Sequence, residues 1–171
     1  MTMKKFAIGI SVFCCATAAY AANESWSLQL IEGFQIARVT NDAALATGVI
    51  CSIDEQSCRA YVTMPASCEV DAGYPMMINS PVGALPISTT CFEVGGQKLY
   101  VIDQFDKSLA AFESGGEIGF AMPLESGKFA VARFSTRGAS AAIRKARTYP
   151  RKPASPAKPS PGSRPSSVQL L

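Results

Sequence analysis

The chain has 171 residues, 48% of them hydrophobic, and 16 lysines and arginines set against 13 acids give a net charge of +3. It contains no histidine, which excludes Ser-His-Asp and Cys-His catalysis, His-ligated metals and the usual acid/base group at neutral pH. No cofactor and no metal are expected, and the apolar content suffices for one domain with a real core.

The first 21 residues, MTMKKFAIGISVFCCATAAYA, place Lys4 and Lys5 before an uncharged apolar run that closes on Ala19-Tyr20-Ala21. This is the layout of a secretory signal peptide of bacterial type, with cleavage expected between Ala21 and Ala22. The run from Phe6 to Ala22 is 17 residues, short of the roughly 20 that span a bilayer. Neither Cys14 nor Cys15 is preceded by the leucine and small residues that lipid attachment would want. Asn23-Glu24-Ser25 matches a glycosylation sequon, which has no meaning in a bacterial export route.

The mature chain keeps four cysteines, Cys51, Cys58, Cys68 and Cys91. In an oxidising compartment an even count reads as two disulfides, and sequence alone allows three pairings. Cys51 and Cys58 flank Asp54-Glu55 and face each other if those two residues form a tight hairpin turn, within disulfide reach. Cys68 with Cys91 follows by elimination. The intervals of 6, 9 and 22 residues between cysteines contain no Cys-x-x-Cys knuckle of the kind zinc sites use. A redox role for Cys51 and Cys58 is disfavoured because Asp54 and Glu55 would raise a thiol pKa.

Trp26 to Thr40 alternates imperfectly but is rich in strand formers. Gly48 to Ile53 and Ser57 to Met64 read as a hairpin, Tyr74 to Asn79 as a short strand. Leu85 to Glu93 and Gln97 to Ile102 read as two strands joined through Gly95-Gly96. A helix is predicted from Asp103, its cap, to Gly115, with Phe105, Leu109 and Phe112 on one face. In Glu113 to Ser135 the alternation of Ile118, Phe120, Met122 and Leu124 predicts a strand, and Ser126-Gly127 a turn. That turn would pair Leu124 with Phe129, Met122 with Val131 and Phe120 with Arg133. Gly115 and Gly116 follow a helix and precede a strand, the wrong end for a phosphate loop, and Pro123 points to an edge or bulge. A second helix is predicted over 135–147, with Ala139, Ala142, Ile143 and Ala146 inward and Arg144, Lys145 and Arg147 in its last turn.

Charge is split along the chain. Residues 22–125 hold all 13 acids and four bases, a net of −9, whereas 126–171 hold ten bases and no acid. The end, from Thr148, has six prolines in 24 residues and no apolar periodicity, so residues 149–171 are expected to form a disordered, polyproline-like arm. Arg144, Lys145, Arg147, Arg151, Lys152, Lys158 and Arg164 are candidate contacts to an anionic partner: an envelope protein, an anionic envelope component or, peripherally, a membrane surface. The arm could equally fold back on its own acidic domain, dock a protein through its prolines, or serve as a spacer. Nucleic acid is not an expected partner, because export removes the chain from it and no aromatic residue after Tyr149 could stack on bases.

The carboxylate pairs Asp54/Glu55, Glu69/Asp71 and Asp103/Asp106 are the remaining catalytic candidates, for an alternative reading as a cell-wall hydrolase that works with paired carboxylates. Each falls in a turn, loop or helix start, where acids serve capping and solubility, and no catalytic residue is assigned. Asp71 to Pro81, with Tyr74-Pro-Met-Met77, is a candidate inhibitory loop if exposed.

From about Trp26 to Ala146 the chain resembles the invasion-associated locus B family of small exported bacterial proteins. The resemblance rests on a Trp before Cys51-x6-Cys58, a later Cys91 and a helix with Leu109-Ala-Ala-Phe112. It continues through Glu125-Ser-Gly-Lys128 and Phe134-Ser-Thr-Arg-Gly-Ala139 before an Ala-rich helix, and Cys91 to Ile143 match best. Gly95-Gly96 stands where the family has a Gly-Cys, leaving Cys68 to take that cysteine's role. The resemblance implies a periplasmic or surface β-sandwich without a known active site, associated in some pathogens with host-cell entry. The expectation is therefore a signal peptide (1–21), a mostly β, disulfide-stapled sandwich or barrel with two short helices (22–148), and the basic arm (149–171). The expected task is non-enzymatic binding in the bacterial periplasm or at its surface.

Overall fold

The computed structural model describes residues 25–31 and 33–148. The expected signal peptide with its Ala21–Ala22 site, and the basic segment 149–171, lie outside them. Among the described residues nine strands and two helices follow the order β1 (Ser27–Ile31), β2 (Phe34–Thr40), β3 (Ala46–Ser52), β4 (Cys58–Val62), β5 (Gly73–Ser80), β6 (Gly83–Val94), β7 (Gln97–Ile102), α1 (Phe105–Glu113), β8 (Glu117–Pro123), β9 (Phe129–Ser135) and α2 (Ala139–Arg147). The strands form one antiparallel sheet in the order β1-β2-β3-β4-β7-β6-β5-β8-β9. The expected mostly β, disulfide-stapled fold with two helices is what forms.

Inward side chains of β2 through β9 meet in a single core. A sheet whose strands share one core must curl around it, and here its two ends come together. Trp26 Nε1 donates to Ser135 O at 2.9 Å and Asn41 Nδ2 donates to Arg133 O at 3.0 Å. Side chains from the β1–β2 end thus satisfy carbonyls of β9, where no backbone ladder closes the seam. Aromatic rings run through the core: Trp26 lies edge-on to Phe112 at 5.6 Å, and Phe112, Phe120 and Phe134 follow at 6.2 and 6.0 Å. Such contacts add to simple area burial.

Both disulfides form with the expected partners, Cys51–Cys58 and Cys68–Cys91. Cys51 and Cys58 are direct cross-strand neighbours, although the turn between them is wider than two residues and puts Gln56 at positive φ. Cys68–Cys91 ties the β4–β5 connection to β6.

The helices start later than their periodicity predicts. Asp103 does not cap α1; its carboxylate accepts from the Thr90 hydroxyl at 3.2 Å and its N–H donates to Ser88 O. It still belongs to the β6–β7 ladder, so Gln104 takes the cap position. Likewise Ser135 ends β9, and α2 begins only after Gly138, which turns the chain at φ 84°. The inward face of α2 is as predicted, with Ala139, Ala142, Ile143 and Ala146 buried.

The β8–β9 hairpin is shifted by one residue from the predicted pairing. Phe120 faces Ala132, Ala121 faces Val131 and Pro123 faces Phe129. The cause is the turn: Leu124 N–H donates to Lys128 O, and Glu125, Ser126 and Gly127 make a three-residue loop with Gly127 at φ 76°. An odd loop moves every partner by one and inverts the faces. Ala130, Ala132 and Phe134 therefore point inward, while Val131 is exposed. Pro123 lies two residues past Ala121, the last residue of β8 paired with β5, where its missing N–H costs no ladder bond.

Candidate functional site: an apolar groove on the outer sheet face

On β2 the alternation reads opposite to simple polarity. Gln35, Ala37 and Val39 are buried, and Phe34 and Ile36 look out. Gln35 is accommodated because its amide nitrogen donates to Ala146 O at 3.1 Å and Lys145 O at 3.2 Å, at the end of α2. It joins the Thr148 N–H in satisfying carbonyls of the last helical turn. The outer face of β2 therefore becomes apolar, and register carries this across the sheet. Phe34 faces Ser52 and Ile36 faces Ile50; Ile50 faces Arg59; Tyr61 faces Val101; and Leu99 faces Phe92.

The result is a groove of about 360 Å³ across the outer faces of β2, β3, β4, β7 and β6. Tyr61, Leu99 and Val101 form its floor, only 4–8% exposed, while Phe34, Phe92 and Val94 stand up from it at 44%, 38% and 58%. Burial pushes the Tyr61 phenol above its ordinary value, with the Arg38 guanidinium acting in the opposite sense. The floor is thus uncharged at neutral pH. Glu55 and Arg59 line the groove, and neither forms an ion pair among the described residues, where the one such pair is Arg133–Glu117 at 2.8 Å.

A smaller hollow adjoins it, lined by Ser52, Ile53, Gln56, the Cys51–Cys58 disulfide and, from α2, Ala146 and Arg147. Ser52 lines both spaces. The end of α2, from which the chain continues past Thr148, thus lies on the inner face at the β3–β4 hairpin, whose Ser52 lines the groove on the outer face as well. Arg147 also stacks over the Phe105 ring at 6.0 Å, holding that end against α1.

Of the residues singled out by sequence, Arg144, Lys145 and Arg147 fall together in the last turn of α2, whereas Arg151, Lys152, Lys158 and Arg164 lie outside the described residues. The carboxylates of Asp54, Glu55, Glu69, Asp71, Asp103 and Asp106 are all exposed. No group of three potential metal ligands occurs among the described residues. Tyr74-Pro-Met-Met77 is not a loop but part of β5, between β6 and β8. Met76 is buried and Met77 exposed, as a strand requires. The groove itself was missed by sequence reasoning. Its one local signal is Leu99-Tyr-Val-Ile102, apolar on both faces, the pattern of a strand covered on each side.

No family model matches the chain, and no curated protein matches it. Among solved structures it is similar to the crystal structure of invasion associated protein B from Bartonella henselae. The two are 18% identical, the match covers 70% of this chain and 89% of that one, and the TM-score is 0.48. A likeness at this level carries nothing about ligand or mechanism. The two disulfides are compatible with an extracytoplasmic location.

Proposed function

We propose that this protein is an exported, non-enzymatic binding or accessory domain of the bacterial envelope, periplasmic or at the surface, and that it holds its partner in the outer groove. The observation that carries this reading is the apolar face on which Phe34, Phe92 and Val94 stay half-exposed over a buried floor. Contiguous apolar surface rimmed by polar groups marks interaction sites, and aromatic side chains dominate the energetics of such surfaces. The scattered, exposed carboxylates and the absence of histidine from the sequence favour binding over turnover.

The test is capture of envelope components by mature protein, beside the variant Phe92→Asp. Loss of the captured partner in that variant, with the fold intact, is the expected result. Turnover of an envelope polymer that disappears on Glu→Gln or Asp→Asn substitution at Glu69, Asp71, Asp103 or Asp106 would overturn it.

A further inference from the structure

The segment beyond α2 carries a regularity that matches the groove. Pro150, Pro153, Pro156 and Pro159 recur at intervals of three residues, the repeat of a polyproline helix, in which residues so spaced share one edge. Proline-rich segments of this form are held by aromatic-lined grooves, and Phe34, Tyr61 and Phe92 line this one. We propose that residues 149–165 are an intramolecular ligand of the groove, laid across it as a polyproline helix, and that an envelope partner must displace them. This rests on the groove being the binding site argued above.

Length and charge support the assignment. From β2 to β6 the groove crosses four strand spacings, about 19 Å, and Pro153 to Pro159 spans about 19 Å at polyproline rise. The chain leaves α2 beside the hollow that shares Ser52 with the groove. Five residues from Thr148 to Pro153 cover about 16 Å, more than the roughly 10 Å between layers packed face to face, as rounding the β3–β4 turn from the inner to the outer face requires. On this path Arg151 and Lys152 come first and would pass the turn that carries Asp54 and Glu55, neither of which has a cation partner among the described residues. The run Pro153-Ala-Ser-Pro-Ala157, which would meet Arg59, is uncharged, so no like charge is brought to Arg59.

The experiment is NMR on the isotope-labelled mature chain, residues 22–171. Expected are ring-current-shifted Pro153 and Pro156 protons with NOEs to the Tyr61 and Phe92 rings, unchanged on tenfold dilution and lost in Pro153→Glu/Pro156→Glu. Core amide shifts of that variant should stay in place, and its capture of an envelope partner should rise severalfold. Proline shifts at random-coil values overturn the proposal. So do NOEs seen only between labelled and unlabelled chains, which would assign the groove to a second copy's segment. Absent NOEs together with capture lost in Phe92→Asp reject the intramolecular ligand and leave the groove as partner site. Intact NOEs with undiminished capture by Phe92→Asp establish the docked segment and remove the groove from partner binding.

Discussion

At Gly48 the β3 backbone passes so close to β2 that a Cβ would collide with Ala37 O and crowd the Arg38 backbone. Neither contact can yield without opening the β2–β3 ladder, so Gly48→Ala is expected to cost more than about 3 kcal/mol, read as a lowered denaturation midpoint. Phe112, fully buried between Trp26 and Phe120, should cost about 3–5 kcal/mol when cut to alanine. Tyr61 and Tyr100 both have phenol pKa values raised mainly by burial. Above about pH 10 the unfolded chain loses these protons while the folded chain keeps them. Their contribution is complete below that pH and is lost as pH climbs through the raised values. The melting temperature should therefore fall progressively above about pH 10, and less steeply in Tyr61→Phe.

Among the elements, the two disulfides differ in what they constrain. Cys51–Cys58 has a sequence separation of 7 and Cys68–Cys91 one of 23, so loop entropy assigns them about 2 and about 3 kcal/mol respectively. Replacing both cysteines of a pair by alanine should lower stability more for Cys68 and Cys91, measurable in parallel urea titrations. The Cys51–Cys58 pairing was legible because its hairpin register depends only on local alternation and an even number of intervening residues; Cys68–Cys91 followed from it by elimination. The β8–β9 register was not legible, although its turn was found. A two-residue loop at Ser126-Gly127 needs positive φ at Ser126; only Gly127 adopts it, which closes a three-residue loop, and that choice decides whether Val131 or Ala132 faces the core. The face of α2 was readable from period; on α1 Phe112 is buried as predicted, while Phe105 and Leu109 are half-buried and Ser108 and Ala111 turn fully inward, and neither helix start was readable. Asp103 and Ser135 are held by neighbouring strands, and a strand's hydrogen bonds outcompete a helix cap.

On the scale of the molecule, the curled sheet buries one face in a shared core and leaves part of the other apolar. Phe92 lies on that outer face and contributes no inward packing, so Phe92→Asp should change stability by less than about 1 kcal/mol. The same substitution should remove partner capture; equal capture by both forms would exclude the groove. The sequence by itself determined most strands, both helices, the inward face of α2 and the Cys51–Cys58 pair, because these follow from short-range periodicity and spacing; Cys68–Cys91 followed only by elimination among the three pairings the sequence allows. It also determined the charge split, which belongs to composition. Only the tertiary structure decided which side of β2 faces the core. Gln35 can be buried because the end of α2, more than a hundred residues later, presents carbonyls to its amide, and with Gln35 inside, Phe34 and Ile36 must look out. The groove then arises from five strands brought side by side out of sequence order, since β7 pairs with β4 and β6 with β7. No stretch of the chain contains that surface, because burial is a property of neighbours that the fold supplies.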